Sequence, residues 1–205
     1  MIQAVDRWDN WQQDRRMRAM FRARKRVFVD LLRWDLRVIG GEFEVDQFDT
    51  SDAIYLILTD RAGEHLASAR LLPTTRPHIL DSLFPQLCDG SPPTGSTTYE
   101  ITRFCLDRSL SAVERREARN QLVSAIVDYA LEHGVTEYTG VAEIGWFQQI
   151  LAFGWRCRPL GLPVRGKAST LVALGITITA ETPSLLADAG IYRGDIAREA
   201  WDDAA

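Results

Sequence analysis

Six ionisable residues stand in stretches that otherwise read as buried. Arg24 lies in "RARKRVF", Asp46 and Asp49 in "EVDQFD", Arg70 in "SARLLPT", and Glu100 with Arg103 in "YEITRF". A charge taken into apolar surroundings survives only when it is paired and hydrogen-bonded. Three cations with three anions make a neutral set, the least costly way to keep six charges near a core. Taken singly, each residue is explained by a structural ion pair. A cluster assembled from four separate segments instead points to a site, because perturbed and coupled charges concentrate where chemistry is done. "YEITRF" adds a geometric question. In a regular strand side chains alternate, so Glu100 and Arg103 face opposite sides; a bulge, common beside active sites, brings both to one side.

Those residues need elements to hold them. "DNWQQDRRMRAMFRARKRVFVDLLRW" predicts one or two helices, with Met17, Met20, Phe21, Phe28 and Leu31 near helical spacing. "RVIGGEFEVDQFDTSD" reads as a Gly- and Asp-rich connection. "AIYLILT" and "HLASARLLPT" are strands joined by the hairpin signal "DRAGE". A short helix over "HILDSLFPQL" precedes the strand "YEITRF". The long amphipathic helix "SAVERREARNQLVSAIVDYALEHG" follows, with Ser at its start and Gly134 at its end. "VTEYTGVA", "IGWFQQILAFG" and "STLVALGITI" predict strand, helix and strand, and "RPLGLPV" a Pro-fixed bend. Alternation after an initial hairpin implies an α/β fold: a three-layer α-β-α sandwich with a mixed central sheet. No G-x-G-x-x-G and no P-loop is present, which removes a dinucleotide or Walker-type fold.

The 205 residues suit one domain spanning 1–205, with a basic helical segment over 1–37, a catalytic core over about 38–190 and a tail over about 191–205. The net charge of −4 is uneven. Residues 1–37 hold ten Arg/Lys against five Asp/Glu, a balance of +5, which leaves −9 for the rest. A segment of that kind meets an acidic partner or simply presents a solvated face. The acidic pI near 5.4 argues against a dedicated nucleic-acid binder. Cys88, Cys105 and Cys157 form neither a CxxC pair nor a Cys/His cluster, so no metal site and no disulfide framework is expected. Without a long apolar run or an apolar signal core, the expected location is cytoplasmic, with no membrane insertion.

The pattern Arg24-x-x-x-Phe28, Trp34, Asp46-x-x-Asp49, Arg70-Leu-Leu-Pro-Thr, Phe84 and Glu100-x-x-Arg103-Phe104 resembles the LuxI-type acyl-homoserine-lactone synthases. Order and spacing agree from about residue 20 to about residue 106, and beyond that the likeness is architectural. The resemblance implies a fold similar to the GNAT N-acyltransferases. It also implies transfer of an acyl group from acyl carrier protein, or in some members coenzyme A, to the amine of S-adenosylmethionine. Lactonisation then releases methylthioadenosine, and the product is a quorum-sensing signal. No permanently bound cofactor is implied.

On that likeness Glu100 is the expected general base, with Arg70 and Arg103 holding the carboxylates ionised. Arg24, Phe28, Trp34, Asp46 and Asp49 are the expected S-adenosylmethionine site, the two aromatic rings forming a wall for adenine or the sulfonium. Phe84, Phe104, Val141, Ala142, Trp146 and Ile150 are candidates for the acyl chain, although ordinary core packing explains the same pattern. Thr139 stands near the place where members taking 3-oxo chains often carry a threonine. Arg15, Arg16 and Lys25, with Arg115, Arg116 and Arg119 on the later helix, are candidates to dock the acidic carrier protein. Two rivals remain open. An acetyl-CoA-dependent N-acetyltransferase is disfavoured because "ERREARNQLV" lacks the glycines that cradle pyrophosphate, which also mildly favours a carrier-protein donor. A non-catalytic GNAT-like binding module is disfavoured by the retained charges.

Overall fold

Apolar runs of four to nine residues, broken by turns, fold into strands that pair as one mixed sheet flanked by helices. The protein is described here from a computed structural model covering residues 1–6, 10–166 and 169–194. In chain order the elements are β1 (Ile2–Val5), α1 (Arg15–Arg24), a π-helical stretch (Lys25–Leu31), β2 (Val38–Ile39), β3 (Phe43–Glu44), β4 (Ile54–Thr59), β5 (His65–Pro73), α2 (Ile79–Ser82), a 3-10 turn (Pro85–Leu87), β6 (Thr98–Leu106), α3 (Ala112–Glu132), β7 (Glu137–Glu143), α4 (Ile144–Leu151), β8 (Arg156–Pro159), β9 (Val164–Arg165), β10 (Thr170–Thr177) and α5 (Thr182–Asp188). The sheet runs β1-β4-β5-β6-β7-β10-β8, with β9 also on β10. β6 and β7 are parallel, while β10 runs antiparallel to β7, so the sheet is mixed as expected. The tail set apart at about 191–205 lies outside the described residues from position 195 onward.

Contacts divide the chain into two compact units, Met1–Arg70 with Arg103–Leu122 and Gly194, and Leu71–Thr102 with Val123–Arg193. In the first, α1 begins where the Asp14 carboxylate accepts from the Arg16 and Met17 backbone amides. Met17, Met20 and Phe21 are on its buried face, and Phe28 is the buried residue of the π-helical stretch that follows. The "DRAGE" hairpin closes as an Asx turn: Asp60 Oδ1 accepts from the Ala62 and Glu64 amides, and Gly63 supplies a φ of +80°. In the second unit Tyr138, on β7, is buried and donates to the Ile126 carbonyl of α3. Gly134 takes a φ of +67° where α3 stops.

Five short strands and one helix depart from the sequence reading. β1, β8 and β9 are short strands at or near the sheet margins, and β2 and β3 form a small hairpin inside the segment read as connection. Strands of two to four residues carry too little alternation to register in sequence, and β8, "RCRP", is polar because it lies at the edge. α5 supplies the last helix.

Cys105 is fully buried, and that burial pushes its thiol up to about 12. Cys88 and Cys157 are half-buried. Iodoacetamide on the native protein is therefore expected to modify Cys88 first and to spare Cys105 until denaturant is added. Peptide mass spectrometry showing Cys105 labelled as fast as Cys88 would refute the packing described.

Candidate active site

Strand β6 carries one more residue than its neighbour. β5 advances eight residues from Leu66 to Thr74, while β6 covers nine from Asp107 back to Thr98, between backbone bonds Asp107 N–H to Leu66 and Thr74 N–H to Thr98. The extra residue coincides with Arg103, whose φ of +47° is left-handed, a conformation that disfavours a side chain with a Cβ. β6 is bulged there, and a strained backbone at such a position marks functional sites.

In the first unit Arg103 meets a closed network. Arg24 bonds Glu44 through Nε at 2.6 Å and grips Asp49 with both terminal nitrogens at 2.8 and 2.9 Å. Arg70 reaches Asp46 at 2.7 Å and Asp49 at 2.6 Å. Arg103 completes the ring on Glu44 at 2.9 Å and Asp46 at 2.7 Å. Three guanidiniums face three carboxylates, so the cluster is neutral. Its sixth member is Glu44, not Glu100. Glu44 escaped the sequence reading, although in "FEVD" it sits two residues before Asp46, on the same face of an extended segment. Tyr55 was also missed; its hydroxyl donates to Asp49 at 2.7 Å.

Side-chain exposure sorts the members. Arg24, Glu44, Asp49 and Arg70 are 0–1% exposed, whereas Asp46 is 10% and Arg103 9% exposed. Burial alone would raise the Asp49 carboxyl, but the Arg24 and Arg70 guanidiniums overcome that and hold it well below the usual carboxylate range. Arg24 and Arg70 are pulled down by burial and, more strongly, up by their carboxylates. The loop is shaped by its own acids: the Asp46 carboxylate accepts from the Phe48 amide, and Asp49 from the Asp46 amide.

Beside Arg103 stands an aromatic wall. Two residues past the π-helical stretch Arg33 takes a φ of +59°, and the Trp34 amide folds back onto the Phe28 carbonyl at 2.9 Å. That turn stacks Trp34 on Phe28, with centroids 5.0 Å apart and planes inclined by 19°. The Arg103 guanidinium lies 5.6 Å from the Phe28 ring. Phe28 is buried and Trp34 exposed. A π-helical turn inside a helix is rare and is frequent at functional sites.

Glu100 belongs to the second unit and is fully buried. Its two oxygens accept from the Ile79 and Leu80 amides at 2.7 and 2.9 Å, holding the first turn of α2. Phe84 and Val141 pack in one apolar cluster around Leu80, Leu87 and Ala173. Ala142 alternates to the other face of β7 from Val141. Trp146 and Ile150 lie on α4, where Trp146 meets Phe153 edge-on at 5.9 Å. Phe104 lies in the first unit. The Thr139 hydroxyl is buried with no hydrogen-bond partner, beside Glu100 in the parallel register of β6 and β7.

All six candidate docking residues fall in the first unit. Arg15 is exposed and pairs with Glu64 at 2.9 Å, Arg16 contacts Gln3, and Lys25 pairs with Asp30 at 2.9 Å. Arg115 donates to the Arg108 carbonyl, Arg119 to Asn120, and Arg116 is exposed. Among the described residues no helix is long and apolar enough to cross a membrane.

In sequence and in overall fold the chain is similar to known proteins. The family model described as autoinducer synthase matches residues 9–184. An acyl-homoserine-lactone synthase of Rhizobium etli is 36% identical over 144 residues, covering 69% of this chain and 68% of that protein. Among solved structures, a CoA-dependent acyl-homoserine lactone synthase, BjaI, with SAM and isopentyl-CoA, superposes with a TM-score of 0.84 at 26% identity, covering 97% of this chain and 93% of that one. A putative N-acetyltransferase from Lactobacillus plantarum, 15% identical with a TM-score of 0.55 over 87% of this chain and 99% of that one, shares the fold. The chain belongs to the autoinducer synthase family, that of the acyl-homoserine-lactone synthases, and is an acyltransferase.

Proposed function

We propose that the protein transfers an acyl group from a thioester to the amine of S-adenosylmethionine and then closes the homoserine lactone. The observation carrying this reading is the neutral ion cluster whose only solvent-reaching members are Asp46 and Arg103, paired with each other, with Arg103 beside Phe28 of the Phe28–Trp34 stack. In this reading the sulfonium and adenine lie against Trp34, and Asp46 offers the negative charge a sulfonium favours. Arg103, rather than the buried Arg24 or Arg70, takes the methionyl carboxylate. Arg24 and Arg70 act on the substrate through Glu44, Asp46 and Asp49, which they hold ionised and in place.

Acylation requires the neutral amine. Glu100, directly or through a water, accepts the proton as nitrogen bonds to the thioester carbonyl carbon. The carbon–sulfur bond then breaks, and the thiolate leaves with the electron pair. In the second step the methionyl carboxylate attacks the carbon bearing the sulfonium. That carbon–sulfur bond breaks toward sulfur, which neutralises it and releases methylthioadenosine. Phe84 and Val141, with the apolar cluster around Leu80 and Leu87, receive the acyl chain.

A carrier-protein donor is supported by the basic residues of α1 and the start of α3. A coenzyme A donor has its own support in the likeness to BjaI, whose structure holds isopentyl-CoA. Extracts of medium from a host that makes no lactone, expressing this chain, are expected to show the homoserine-lactone fragment by mass spectrometry. Soluble protein, a broad acyl pool and no lactone would defeat the reading. Trp34→Ala is expected to raise the KM for S-adenosylmethionine about tenfold, the loss of an aromatic–cation contact worth roughly 1–2 kcal/mol. Because Trp34 is 38% exposed, folding stability should hardly change. An unaltered KM would remove Trp34 from the site.

A further inference from the structure

Among the described residues of the second unit, His78 Nε2 and Thr139 Oγ1 are buried with no hydrogen-bond partner. Both belong to the surroundings of Glu100. Thr139 is its neighbour in the parallel register of β6 and β7, so the two side chains project to the same face. On that face the Glu100 oxygens meet the Ile79 and Leu80 amides. His78 is the residue immediately before those amides, at the start of α2, and it is fully buried.

The tautomer of His78 follows from its other nitrogen. Nδ1 lies 2.9 Å from the Arg76 carbonyl oxygen, which can only accept, so Nδ1 carries the hydrogen and donates it. Nε2 of the neutral ring is then a bare lone pair. A buried acceptor left unpaired is costly, and one that persists has its reason in function more often than in packing. The ring is also held from behind. The His78 amide donates to Asp81 Oδ1 at 3.1 Å, and the same carboxylate oxygen lies 3.7 Å from Nδ1. Negative charge therefore faces the nitrogen opposite Nε2, the arrangement that orients an imidazole as a base.

We propose that His78 is a second proton acceptor for the amine, working beside Glu100. The inference rests on the acyl-transfer reading given above and deepens it. An α-amine with an ordinary pKa of roughly 7.7–8.0 arrives near neutral pH chiefly as the ammonium. Its nitrogen then carries three hydrogens, where the amide product carries one. Two protons leave the nitrogen in each turnover, and one carboxylate holds one at a time. His78 Nε2 takes the first, which frees the nitrogen lone pair, and Glu100 takes the second as the carbon–nitrogen bond forms. The departing thiolate becomes a thiol with one of these protons, and the other passes to solvent. Other titratable groups on the elements packed against α2 are less suited. Asp81, on α2 itself, is 41% exposed, Glu143 lies at the exposed end of β7, and Glu137 pairs with Arg158. Tyr138 donates to α3 on the opposite face, and burial pushes the Cys88 thiol up.

The test is H78N, in which the asparagine amide keeps a donor for the Arg76 carbonyl while Nε2 is removed. The quantity read is kcat/KM for S-adenosylmethionine, followed by methylthioadenosine release from about pH 6.5 to about pH 9, wild type over variant. The donor is hexanoyl-CoA or hexanoyl carrier protein, whichever the wild type turns over. Without a second acceptor the variant uses only substrate that arrives as the neutral amine. Its deficit is therefore expected to be about 25-fold near pH 6.5, where roughly 4% of such an amine is neutral, and to shrink below about twofold near pH 9. A deficit of the same size at every pH would show that His78 serves only to seat α2, and no deficit would show that Nε2 is idle; either result overturns the proposal. If H78N does not fold, the same profile is read on H78Q, which also lacks the basic nitrogen and carries the same expectation. A wild type that releases no methylthioadenosine with either donor would instead defeat the acyl-transfer reading.

Discussion

Replacing Glu100 with glutamine should lower turnover by about 10²–10⁴-fold, the range that a positioned general base contributes. The structure adds a second effect that must be separated from the first. Both Glu100 oxygens accept from backbone amides at the start of α2. Glutamine keeps one acceptor but turns an NH₂ toward a backbone N–H, and the mismatched buried donors cost about 1–3 kcal/mol. The sequence alone suggests an isosteric change with nearly intact folding; the capping role makes a stability loss part of the expected result. Denaturant titration measures that loss, and kcat measured where the variant is fully folded isolates the chemistry. Folded E100Q with wild-type turnover would remove Glu100 from the reaction and leave it as the cap of α2.

The second large effect is on stability. Asp49 takes donors from Arg24, Arg70, Tyr55 and the Asp46 amide, all onto its two oxygens. Asparagine cannot accept at both positions, and its NH₂ would face guanidiniums inside a site with no exposure. D49N leaves three cations against two anions in the interior, a change expected to cost about 3–5 kcal/mol. A domain of marginal stability loses much of its folded population by that change. D46N, at the exposed edge of the same network, should cost clearly less. A D49N variant within 1 kcal/mol of wild type would show that the network is not what holds this unit together.

Acid should expose the same linkage. The Asp49 carboxyl titrates below its unfolded value, so its contribution is fully present above about pH 4 and is lost as pH falls further. Unfolding free energy measured against pH should therefore drop steeply below about pH 4, with a shallower slope in D49N.

How much of this was legible beforehand is clearest at the ion cluster. Charged residues in apolar stretches announced that a network existed, because burying them singly is too costly. Five of its six members, Arg24, Asp46, Asp49, Arg70 and Arg103, were identified in that way. Composition also balanced the set, yet it misassigned one carboxylate, since any acid satisfies a charge count and only distance distinguishes Glu44 from Glu100. Helices α1, α3 and α4 and strands β4, β5, β6, β7 and β10 were equally plain, because each is long enough for its periodicity to repeat.

The sequence by itself determined the family pattern, the mixed α/β order and the neutrality of the buried charges. All three follow from local spacing and from the cost of isolated charge. Only the tertiary structure decided that "YEITRF" is bulged at Arg103. A positive φ at an arginine is imposed by pairing with β5, and nothing in the hexapeptide asks for it. Tertiary packing likewise decided which acids close the ring and that Glu100 seats the first turn of α2. Each of these is a contact between residues whose relation is fixed by packing rather than by neighbours in the chain.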